Sequence, residues 1–79
     1  MASDGTIQRT RKVIADLLNI PEAQVTPDAH FVRELGMESV QSVELIAALE
    51  EEFDIDIDQD EVGDIFTLAE AADWIEKQL

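Results

Sequence analysis

An all-α fold is predicted: a small four-helix bundle with three longer helices, a short third helix and a long loop between helices 1 and 2. Three observations carry this. Apolar residues make up 46% of the chain, enough for a packed core, and most of them recur at helical spacing. Only two prolines and three glycines interrupt the sequence, which leaves room for long helices. The one alternating run, Asp54-Ile55-Asp56-Ile57-Asp58, has no second run to pair with as a strand. At 79 residues the chain is expected to be a single domain, 1–79, with one modest core.

The first helix is expected from Ser3 or Asp4 to Leu18. Ile7, Ile14, Leu17 and Leu18 share one face, and Arg9, Lys12 and Asp16 the other. Asn19 and the nearby Pro21 end it. Residues 19–38 read as a long loop, marked by Pro21, Thr26-Pro27-Asp28 and Gly36, with Val25, Phe31 and Leu35 spaced to pin it. Ser39, a residue type suited to capping, opens the second helix, which runs to about Phe53.

Leu45, Ile46, Leu49 and Phe53 form one face of that helix, with Ser42 among them. Val40, Val43 and Ala47 form a second stripe beside Glu44 and Glu51. A bundle helix needs one apolar face, so the second stripe reads either as a partner surface or as scattered surface residues. Asp58 with Glu61 suggests a capping box for the short third helix, roughly Gln59 to Ile65 and loosened by Gly63. Thr67 with Glu70 suggests a second box. It opens a final helix with Leu68, Ala71, Ala72, Ile75 and Leu79 inward and Trp74 on the flank.

Nineteen acidic residues face five basic ones, a net charge of −14, and no Lys or Arg lies between Arg33 and Lys77. Such a field repels nucleic acid and anionic membranes and favours basic protein partners. No apolar run reaches the length of a membrane span. Met1-Ala2-Ser3-Asp4-Gly5 lacks the basic and apolar regions of a signal peptide. A cytoplasmic monomer without membrane insertion is expected.

Most chemistries are excluded. The aspartate run is not a calcium-sensor loop, because counting from Asp54 the sixth position is Gln59 and the twelfth Ile65. His30 is the only histidine and there is no cysteine, so no metal site is expected. His30 reads as a surface or capping residue. Around Ser39 the second glycine of a nucleophile elbow is missing, and no Gly-rich phosphate loop exists. No catalytic residue is assigned.

One constellation is left, Leu35-Gly-Met-Glu-Ser39-Val-Gln-Ser-Val-Glu44-Leu-Ile-Ala-Ala-Leu49-Glu-Glu-Glu-Phe53. It resembles the attachment region of acyl carrier proteins, where Leu-Gly precedes Asp-Ser-Leu and a Val-Glu-Leu…Leu-Glu-Glu-Glu-Phe helix follows. Val25-Thr-Pro-Asp-Ala-His-Phe31 is similar to the family's preceding loop. Ile55-Asp-Ile57, Ile65, Thr67 and Ala71-Ala-Asp-Trp-Ile75 are similar to its closing segment and last helix. Together these cover about Ile7 to Ile75.

The resemblance implies a non-catalytic carrier, itself the substrate of a phosphopantetheinyl transferase. Coenzyme A would donate phosphopantetheine to Ser39, and the arm's thiol would carry acyl groups as thioesters between enzymes of fatty acid, lipid or polyketide synthesis. A chain without cysteine must borrow that thiol. Glu38, Val40, Val43, Glu44, Ala47, Glu50 and Glu51 would meet basic docking patches on loading, elongating or transferring enzymes. An acyl chain would lie near Ile46, Leu49, Ile57 and Ile65.

The sequence departs from the family at Glu38, where Asp is usual, and at Val40, which is smaller than usual. Gly63 and Phe66 are also atypical of the third helix. These differences point toward a specialised carrier. An aminoacyl or peptidyl carrier, and an unmodified acidic interaction module, are the alternatives.

Overall fold

The computed structural model describes residues 2–79. Three α-helices make up the frame: α1 (Asp4–Leu18), α2 (Ser39–Phe53) and α3 (Leu68–Gln78), with a 3₁₀ turn at Glu22–Gln24. The described residues contain no strand, only one isolated antiparallel bridge between His30 and Thr67.

Ser3 caps α1, its hydroxyl accepting the Thr6 N–H, and Asn19 closes it in the left-handed conformation at φ 57°. Ile14 is fully buried, whereas Arg9, Lys12 and Asp16 face solvent. Thr67 caps α3 through the Glu70 N–H at 3.2 Å. The Glu70 carboxylate reaches one residue further back than a simple capping box and accepts the Phe66 N–H at 2.9 Å. Leu68, Ala71, Ala72 and Ile75 are buried as expected. Leu79, expected inward, is 63% exposed because α3 ends at Gln78 and the last side chain projects past the core.

The short helix expected over Gln59 to Ile65 does not form. The segment is a series of turns, with Glu61 N–H donating to Asp58 O at 3.0 Å and Ile65 N–H to Val62 O at 3.1 Å. Asp58 Oδ1 takes the Asp60 N–H at 2.9 Å, a local bond that competes with a helical start. Crowded carboxylates and Gly63 weaken the helix further. Conversely, the 3₁₀ turn lies inside the stretch read as loop.

α1 packs against both α2 and α3, while the backbones of α2 and α3 are held apart. Residues 54–67 span the gap between them. The core draws Ile14 from α1, Val25, Phe31 and Met37 from the long loop, Leu45, Leu49 and Phe53 from α2, and Leu68, Ala71 and Ile75 from α3. Val25 and Phe31 pin the loop by full burial and Leu35 by partial burial.

Candidate functional site

The approach to α2 is fixed by its backbone. Gly36 adopts φ +74°, a conformation that an L side chain would strain. Its N–H donates to Val32 O at 3.2 Å. Met37 follows, buried, with its N–H on Phe31 O at 2.9 Å. His30 stiffens the preceding turn as a capping residue: Nδ1 accepts the N–H groups of Val32 at 3.2 Å and Arg33 at 3.1 Å. The His30 ring also stacks on Phe66, with centroids 4.9 Å apart.

This entry presents Ser39, but not as the cap. Glu38 is the N-cap, and its N–H donates to the Gln41 side-chain oxygen at 2.8 Å. Ser39 is instead the first helical residue, exposed to solvent. The sequence assigned it the cap because serine is a better capping residue than glutamate. Gln41, which reaches back from the third helical position, is what shifts the role to Glu38. With capping done elsewhere, the Ser39 hydroxyl is not committed to holding the helix start.

The outer face of α2 lies open to solvent. Val40 is 65% and Val43 52% exposed, with Ala47, Glu38, Glu44 and Glu51 also at the surface. Glu50 differs from the other acids grouped with this face. It is half-buried, and its Oε2 accepts the Ile57 N–H at 2.8 Å, tying α2 to the segment that follows. Neither Arg nor Lys occurs from 34 to 76, so these carboxylates have no nearby cation along the chain.

On the inner side of α2 an apolar cavity of about 240 Å³ opens between α2, α3 and residues 57–66. Ile46, Leu49, Ile57 and Ile65 all line it. So do Phe31, expected as a loop pin, Trp74, expected at the core edge, and Met37 and Phe66, for which the sequence reading held no packing role. They come from the loop before α2 and from residues 66–74, and no single helical period could have joined them. Ser42 and Val43, one turn after Ser39, line the cavity on the serine side.

Among the described residues no group of His, Cys, Asp or Glu could hold a metal ion, and no helix is long and apolar enough to cross a membrane. A phosphopantetheine arm fits what is present. Ser39 offers an exposed hydroxyl at a helix start, where the positive end of the helix dipole favours a phosphodiester. The chain supplies no thiol of its own.

The sequence model of the phosphopantetheine attachment site family matches residues 8–75, most of the chain. Carrier domains of this family bear phosphopantetheine covalently, are modified by phosphopantetheinyl transferases and work with synthase enzymes. An exposed serine at the start of α2, an apolar cavity beside it and a family match of this extent agree, and the chain belongs to the phosphopantetheine attachment site family as a carrier domain of the acyl carrier protein type.

Proposed function

We propose that this protein carries acyl groups as thioesters on a phosphopantetheine arm attached to Ser39, handing them between enzymes of fatty acid, lipid or polyketide synthesis. The observation that carries this reading is the position of Ser39: exposed, first in α2, relieved of capping by Glu38, and one turn from the mouth of an apolar cavity. In the modification, Ser39 Oγ attacks the coenzyme A phosphorus that bears pantetheine. An Oγ–P bond forms, the P–O bond to adenosine 3′,5′-bisphosphate breaks, and the hydroxyl proton passes to a base of the transferase. The thiol that the chain lacks then comes with the arm.

The acyl chain rests near Ile46, Leu49, Ile57 and Ile65. The apolar lining favours this over an aminoacyl or peptidyl carrier, because a charged ammonium would lose hydration there without a partner. Glu38, Val40, Val43, Glu44, Ala47 and Glu51 form the surface read by basic partner enzymes, with electrostatics governing encounter more than affinity. Glu50 belongs at its edge and chiefly braces residue 57.

Intact mass after incubation with coenzyme A and a permissive phosphopantetheinyl transferase tests the reading. A gain of one phosphopantetheine in the parent and none in Ser39→Ala is expected. Equal masses with several transferases would replace the carrier with an unmodified acidic interaction module.

A further inference from the structure

We propose that Gln41 is a positioning residue for the modification of Ser39. Its side chain fixes where α2 begins, and so keeps the Ser39 hydroxyl out of the helix cap and available to the transferase. The inference rests on Ser39 being the attachment site, and adds that a glutamate at position 38 serves there only with Gln41 present.

Two starts for α2 compete within Glu38-Ser39-Val40-Gln41-Ser42. With Glu38 as the cap, Ser39 is helical and Ser42 N–H donates to Glu38 O at 3.1 Å. With Ser39 as the cap, the helix would begin at Val40 and that bond would be lost. The serine hydroxyl would then accept the N–H of Gln41 or Ser42, and Ser39 would take up the extended backbone of a cap residue. Intrinsic preference favours this second start, because serine caps well and glutamate does not. The structure takes the first.

Gln41 supplies the difference. Its Oε1 accepts the Glu38 N–H at 2.8 Å, a donor at the helix start that no preceding helical carbonyl can take. A capping box needs Glu or Gln at the third helical position. Gln41 holds that position only when Glu38 is the cap. If the start moved to Ser39, the third position would pass to Ser42, whose short side chain does not reach back. Residues two apart on a helix do not face each other, so Gln41 acts on Ser39 through the backbone and not by touching its hydroxyl.

The test follows conversion of the unmodified protein by intact mass, with coenzyme A and a permissive phosphopantetheinyl transferase, at several carrier concentrations. Gln41→Ala should lower kcat about fivefold, the size of a capping preference expressed as a rate. KM should hardly change, because Val40, Val43 and Glu44 keep their places on α2. Gln41→Glu restores the acceptor and should recover the rate. In a Glu38→Asp background the shorter carboxylate caps unaided, so adding Gln41→Ala should cost nothing. NMR gives the second readout: the Ser39 Cα and Cβ shifts should be helical in the parent and move toward extended values in Gln41→Ala. An unchanged rate in Gln41→Ala, no rescue by Gln41→Glu, or an equal loss in both backgrounds overturns the inference. The last of these would mean that Gln41 meets the transferase directly. Extended Ser39 shifts in the parent overturn it without any variant. A parent that gains no phosphopantetheine while its Ser39 shifts are helical overturns the attachment reading instead, and Gln41's part in modification with it.

Discussion

The Arg9 guanidinium lies 4.3 Å from the centroid of the Phe53 ring, clasping the end of α2 from the middle of α1. The same side chain donates to Glu52 O at 2.7 Å and pairs with the Glu52 carboxylate at 2.9 Å. One cation thus covers an aromatic face, a helix-terminal carbonyl and a carboxylate in a protein rich in uncompensated negative charge.

Arg9→Ala is therefore expected to destabilise the fold by about 1–2 kcal/mol, most of it from the ring and carbonyl contacts because the exposed ion pair contributes little. Arg9→Lys should recover only part, since an ammonium lacks the planar fork. Urea denaturation of the three proteins checks this. Equal midpoints would show that the clasp is idle.

Glu44 and Glu50 should part company. Glu44 is exposed with no hydrogen-bond role for its carboxylate, so Glu44→Gln should leave melting unchanged and slow association with a basic partner such as the transferase. Glu50→Ala removes the acceptor for Ile57 N–H and should cost about 1 kcal/mol of stability. Stopped-flow association beside thermal melting separates the two. Raising salt should slow the parent's association more than that of Glu44→Gln.

Gly36→Ala places a Cβ in the left-handed region, where it costs about 1–2 kcal/mol, although no neighbouring atom obstructs it. Loss of stability at that level, with slower modification of Ser39 as the entry to α2 shifts, is expected. Chemical denaturation and transferase kinetics measure both. A neutral substitution would mean the turn tolerates another conformation.

Glu76 accepts the Ser3 N–H at 2.8 Å, and this bond, followed by those with the Thr6 and Ser3 side chains, lowers its pKa below the usual glutamate value. A carboxylate held lower in the folded state adds stability above its unfolded pKa and loses it as pH falls through the folded value. Glu76→Gln should thus melt below the parent at pH 7. The gap should close progressively once pH drops below the ordinary carboxylate range. A gap constant with pH would place the effect in packing, not charge.

Much of the helical frame was legible along the chain. The limits of α1 and α2, and the cap of α3 at Thr67, follow from apolar spacing and capping chemistry, which act within a few residues. So does the position of Ser39 at the start of a helix, with the loop pinned by Val25 and Phe31. Shorter-range competition was harder to read. Gln41 displaces Ser39 from the cap, and the Asp58–Asp60 bond turns the expected third helix into turns, because local hydrogen bonds of similar strength compete there.

Tertiary structure alone decided the rest. Glu50 looks like any other acid in Leu49-Glu-Glu-Glu-Phe53 until Ile57 is folded back against it. Phe31, Met37, Phe66 and Trp74 come from separate segments, and they line one cavity only because α1 wedges α2 and α3 apart. Sequence periodicity encodes which face of an element is apolar. It does not encode the distance between two elements, which the packing of a third one sets.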